Sequence, residues 1–226
     1  MVDFGGKLFY FRTFYTMVMI LMRVLAFFLL IVASALAISF VAFNTTYIDA
    51  FDLAIRLFAL NGFLALSIAA MMSPFLKEIT FFFKKSYTKV HHYFAATGLL
   101  LITLHPIGVV IQALNPMLLL PNLGSLYLFL FYGGSIALIA VYAAFGAALL
   151  RKKINSYWRP FHALMYVALL FGVIHANLAG LDFQNVYLTV TYDGLFVGVL
   201  VAFGLKRWQF YRMKARMKNS QHNSAH

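Results

Sequence analysis

The sequence predicts an all-α integral membrane protein, a bundle of six transmembrane helices with both termini cytoplasmic. Three observations carry that expectation. Hydrophobic residues make up 63% of the 226 and charged residues 11%, with a mean hydropathy of +0.86, a balance far from that of soluble domains. Uncharged runs long enough to cross about 30 Å of hydrocarbon recur along the chain. Lys and Arg cluster in alternate connections between those runs, and the intervening connections carry none, which is the asymmetry of the positive-inside rule.

Taken in order, residues 1–23 read as an interfacial lead in which Lys7, Arg12 and Arg23 flank aromatic and apolar residues. Residues 24–43 are an uncharged run of twenty and the first expected span, about 30 Å long as a helix. A polar, acidic loop follows. The second span is expected over 53–76, with Arg56 near its start and Pro74 near its end, and a basic loop with Lys77, Lys84, Lys85 and Lys89 comes next. The third span is expected over 91–114, the fourth over 125–150, closed by Arg151, Lys152 and Lys153, the fifth over 160–180 and the sixth over 186–205. Residues 24–205 thus form one helical domain, and 206–226 form a basic cytoplasmic tail expected to be disordered from Asn219.

Composition also excludes classes. The net charge of +12 sits in short loops between apolar runs and forms no basic soluble face, so nucleic acid is not the expected partner. The lipid bilayer is, and a prokaryotic cell membrane is the expected location. With no cysteine there can be no disulfide, thiolate catalyst or cysteine-held iron–sulfur cluster.

Histidine is left as the strong soft-metal ligand. His91, His105, His162 and His175 lie in the third and fifth expected spans, and an ionisable residue at membrane depth is a functional-site hypothesis by default. Those two spans run in the same direction, so His91 and His162 share a level near the cytoplasmic side and His105 and His175 one near the outer side. From His91 to His105 is fourteen residues, close to four turns, which puts both rings on one face. His92 competes with His91 for that position, and phase favours His91. From His162 to His175 is thirteen residues, which at ideal pitch turns the second ring roughly 140° away. Either this helix is overwound or kinked, with Gly172 a candidate site, or the groups at the two levels are rotated. Gly98, midway between His91 and His105, would let a flat macrocycle or a neighbouring helix approach.

The pairs His91-x13-His105 and His162-x12-His175 resemble the ferric reductase-like transmembrane domain, the haem-carrying part of ferric reductases and NADPH oxidases. The run Trp158-x-x-Phe161-His162-x-x-x-Tyr166, ending in Ile174-His175, is also similar to the haem-binding membrane subunit of the periplasmic methionine sulfoxide reductase system. The resemblance implies two b-type haems, the inner held by His91 and His162 and the outer by His105 and His175, with electrons moving outward. Because the chain carries no dinucleotide fingerprint, the expected donor is a separate cytoplasmic flavoprotein or a quinol. The acceptor would be a ferric chelate, oxygen or an extracytoplasmic reductase subunit.

Two cations near the histidines are candidates for neutralising haem propionates: Arg56 on the outer side and Arg159 beside Trp158 on the inner. The bland alternatives are an ion pair of Arg56 with Asp52 or Asp193 and an interfacial anchor at Arg159. No residue looks like a hydrolytic or covalent catalyst. The sequence therefore points to an electron-transfer component of an oxidoreductase. The competing class is a cofactor-free transporter or proton channel.

Overall fold

The computed structural model describes residues 31, 32 and 34–223, with side chains to residue 217; the interfacial lead and most of the first expected span lie outside the described residues. Within them all regular structure is helical. The chain forms α1 (Ser34–Phe43), α2 (Ala50–Met71), α3 (Leu76–Phe83), α4 (Tyr87–Ala113), α5 (Leu126–Phe131), α6 (Gly133–Leu149), α7 (Arg151–Ile154), α8 (Trp158–His162), α9 (Leu164–Ala179) and α10 (Val186–Asn223).

Four stretches are long and apolar enough to cross a bilayer: Ala50–Met71, Tyr87–Ala113, Arg151–Ala179 and Val186–Met217. Ser34–Phe43 and Gly133–Leu149 are shorter apolar helices. A multi-pass helical bundle is therefore present, and among the described residues four stretches have the length and composition of a full span. The expected fourth span is divided at Tyr132, whose φ of −89° and ψ of 19° leave the helical region. The expected fifth is divided at Ala163, where a tight turn joins Tyr166 N–H to the Ala163 carbonyl.

Local chemistry sets the boundaries. Asp49 caps α2, its carboxylate accepting from Asp52 N–H, so that helix starts three residues before the expected span. It stops at Met71, ahead of Pro74, whose ring cannot continue a helix. Ser125 caps α5 in the same manner through Leu128 N–H. Pro106 lies inside α4, next to His105; lacking an N–H, it leaves the Ile102 carbonyl without its helical donor.

Two antiparallel hairpins, α2 with α4 and α6 with α9, make the frame. Glycines set the separation within the first. A Cβ on Gly62 would lie 2.9 Å from Ile102 N, one on Gly98 3.0 Å from Leu66 N, and one on Gly108 2.5 Å from Ile55 Cγ1. Gly98 thus admits the neighbouring helix, the second of its two expected roles. One core cluster joins Ile38 and Ala42 of α1, Leu60, Leu64 and Ile68 of α2, and Leu188 and Tyr192 of α10. A second joins Leu66 with Val141, Ala168, Leu169 and Val199. Large side chains facing outward, among them Leu100, Ile111, Val190 and Val197, are more than half exposed, as lipid contact would have them.

The tail departs from expectation. Instead of ending near Leu205 and giving way to disorder at Asn219, α10 continues as one helix to Asn223.

Candidate functional site

All four histidines sit half-buried in the bundle, and each makes the same bond. His91 Nδ1 lies 3.1 Å from the Ala69 carbonyl and His105 Nδ1 3.1 Å from that of Ile55. His162 Nδ1 lies 3.1 Å from the Ala144 carbonyl and His175 Nδ1 2.6 Å from that of Phe131. A carbonyl oxygen only accepts, so Nδ1 must carry the proton in each case. That fixes the tautomer. Nε2 keeps its lone pair, the state in which a neutral imidazole ligates a metal and in which a hydrogen bond at the far nitrogen orients the ring and raises its basicity.

The carbonyls follow the histidines in register. Ala69 and Ile55 are fourteen residues apart on α2, as His91 and His105 are on α4 (69 − 55 = 105 − 91 = 14). Ala144 and Phe131 are thirteen apart, as His162 and His175 are (144 − 131 = 175 − 162 = 13). Each hairpin thus holds one imidazole at each of two levels, and the thirteen-residue spacing is matched across its own hairpin. Of the two alternatives, overwinding or a kink with Gly172 as a candidate site or a rotation between the levels, the helix shows an interruption, and it lies at Ala163, directly after His162. Gly172 is straight helix, its missing side chain making room for Phe63.

Helix interruptions free two of the acceptors. At the end of α2, Ser73 N–H bonds to the Ala70 carbonyl and not to that of Ala69. At the α5–α6 break, Ser135 N–H bonds to the Tyr132 carbonyl, which leaves that of Phe131 available. Unpaired carbonyls at a helix end need a partner, and an imidazole N–H supplies one.

Across the hairpins, the rings of His91 and His162 lie 6.4 Å apart, centroid to centroid, with planes at 73°. Two imidazoles bound on opposite sides of one metal, at the usual bond of about 2.0 Å, have centroids roughly 6.4 Å apart and are free to turn about the common axis. Among the described residues no three His, Asp or Glu side chains gather to hold a bare metal ion; a porphyrin iron asks the protein for only two ligands.

His92 is exposed, its ring 5.9 Å from that of His91, and it is the His91 ring that lies against that of His162. The Tyr87 ring stacks on His91 at 5.7 Å and 22°, and Trp158 lies 5.9 Å from His162. Arg159 is exposed, with its guanidinium 5.8 Å above the Trp158 ring, so the two inner-side candidates form one column with His162.

Arg56 is fully engaged. Its guanidinium bonds both carboxylate oxygens of Asp182, including Nε to Oδ2 at 2.9 Å, and also the Thr45 hydroxyl, the Thr46 carbonyl at 2.8 Å and Asp52 at 3.5 Å. Asp182 is itself buried, at 5% exposure. The expected Asp52 pairing is present. The expected Asp193 pairing is not, because Asp193 accepts from Asn177 at 2.9 Å. As it stands, Arg56 fastens the loop before α2 to the turn before α10, and a propionate would have to displace one of these partners.

Sequence reasoning missed Tyr87, the four carbonyls and Gly134, whose Cα faces the His175 ring. A Gly-Gly pair inside an apolar run was the one available signal for the last.

No family model, curated protein or solved structure matches this chain.

Proposed function

We propose that this chain is a membrane cytochrome with two b-type haems, ferric reductase-like in arrangement, carrying electrons from a cytoplasmic-side donor, a flavoprotein or a quinol, to an acceptor on the outer side. The observation that carries the reading is the fourfold repetition of one bond: every imidazole has Nδ1 tied to a backbone carbonyl of its own hairpin, and the inner two rings stand at a spacing suited to sharing one metal. A haem with both axial positions filled exchanges single electrons without binding substrate. His91 and His162 would hold the inner group and His105 and His175 the outer. The two levels are separated by fourteen residues of α4, about 21 Å along the axis. The hairpins surround the rings with aliphatic and aromatic packing, and the carbonyls hold them in the Nδ1–H tautomer and aimed.

The same bond weighs against a proton relay. Passing a proton through an imidazole needs both ring nitrogens to trade partners, and a carbonyl can neither give nor keep a proton. A subunit that feeds an extracytoplasmic reductase is a variant of the same chemistry. It is favoured by the uncharged outer connection, where Leu114, Leu120, Leu123 and Leu126 are more than half exposed.

The test is a reduced-minus-oxidised visible spectrum of the purified protein with a pyridine haemochrome count. A b-type α-band and two haems per chain are expected. A featureless spectrum after expression with ample haem would overturn the reading.

A further inference from the structure

The α5–α6 break grips the His175 ring at two points. The Phe131 carbonyl takes Nδ1, and three residues on, the backbone of Gly134 runs beside the opposite edge. A Cβ on Gly134 would lie 3.0 Å from both Nε2 and Cδ2 of His175 and 3.4 Å from Cγ. Its three nearest atoms all belong to that ring. Gly133 differs: its Cβ would meet Phe171 Cδ1 at 3.3 Å and the Phe171 carbonyl at 3.5 Å, so it serves the packing of α6 on α9. What Gly134 leaves open is the approach to the ligating nitrogen.

The thirteen-residue register identifies the counterpart at the inner level. Adding 13 to 133 and 134 gives Gly146 and Ala147, which stand to Ala144 as Gly133 and Gly134 stand to Phe131. By sequence register the inner counterpart of Gly134 is thus an alanine, Ala147. Ala147 is buried at 7% exposure, and His162 still reaches the Ala144 carbonyl.

Resting on the di-haem reading above, we infer that Gly134 is the positioning residue of the outer haem: its missing side chain keeps His175 Nε2 open and lets a flat macrocycle lie against the α6 backbone, a requirement the inner site does not share. A side chain there is expected to act on the outer group alone.

The experiment compares haem counts and low-temperature electron paramagnetic resonance of full-length wild-type, Gly134→Ala, Gly134→Val and Ala147→Gly protein. Gly134→Val is expected to retain one haem per chain, and that haem to vanish when His91→Ala is added. Gly134→Ala is expected to shift one of the two low-spin signals, the one that His105→Ala removes, and to leave the other unmoved. Ala147→Gly is expected to keep both haems. Two haems with unchanged signals in both Gly134 variants would overturn the inference while leaving the cytochrome standing; a wild type without haem would remove the cytochrome itself. Should Gly134→Val fail to accumulate, the Gly134→Ala spectrum decides: a shift in both signals, or in neither, counts against the inference.

Discussion

His175 Nδ1 lies 2.6 Å from the Phe131 carbonyl oxygen, and that oxygen is free because the chain breaks its helix one residue later, at Tyr132. The interruption that divides the expected fourth span is the same feature that aims the His175 ring. In hydrocarbon a carbonyl without a donor is costly, so ring and break stabilise each other.

Removal of single ligands should separate the two levels. His105→Ala and His175→Ala are each expected to leave one haem per chain, as are His91→Ala and His162→Ala, with the surviving signal differing between the two sets. His92→Ala should retain both, because that ring is exposed and outside the pair. The pyridine haemochrome count reads each case, and a His92→Ala protein with one haem would reassign the inner ligand.

Breaking the outer clasp should cost stability more than haem. With Asp182→Asn the Arg56 charge loses its main partner inside the protein, and removing one member of a buried pair costs about 3–5 kcal/mol. A lower thermal midpoint in detergent is expected, with two haems still bound at low temperature. Arg56→Met combined with Asp182→Leu should recover much of the loss, since apolar replacement of both members is often neutral. A double variant no better than the single would show that Thr45 and Thr46 need the guanidinium.

The glycines between α2 and α4 should tolerate no growth. Gly98→Leu would push its side chain into Leu66 and the α2 backbone, an overpacking worth roughly 1–3 kcal/mol. Because α2 supplies the carbonyls for both His91 and His105, weakened retention of both haems is expected, measured as haem loss on heating. Gly146→Ala, at a position with open space around it, should be silent.

The cytoplasmic end of α10 should govern the donor and not the cofactors. Truncation after Leu205 removes Lys206, Arg207, Arg212, Lys214, Arg216 and Lys218 along with exposed Trp208 and Phe210. Haem content should stay at two, while stopped-flow reduction by an acidic soluble flavoprotein should slow and lose its dependence on salt, as electrostatic steering predicts. Unchanged kinetics would assign these charges to anionic lipid.

The four histidines that share this bond could be picked out of the sequence because ionisable letters stand out in apolar runs. Their partners could not, because backbone carbonyls carry no letter; only the structure shows 55 and 69, or 131 and 144, repeating the histidine intervals. The divided fourth span was hidden because Tyr132-Gly133-Gly134 is uncharged, and hydropathy does not distinguish a broken apolar helix from a straight one. At α10 the error ran the other way. Charge ends a span at Leu205, yet Lys, Arg, Met and Gln are good helix formers, so the helix outlasts the hydrophobic stretch. The Arg56–Asp182 pair joins residues 126 apart, a separation at which sequence gives no reason to prefer Asp182 to Asp193.

Matched spacing within each hairpin has a bearing on how such a chain can change over generations. Lengthening the α8–α9 run by one residue between His162 and His175 would swing His175 off the Phe131 oxygen, and only an equal insertion between Phe131 and Ala144 would bring the two back together. Insertions and deletions here should thus be inherited as couples, one on each arm of a hairpin, while the two hairpins remain free to drift to different lengths from one another.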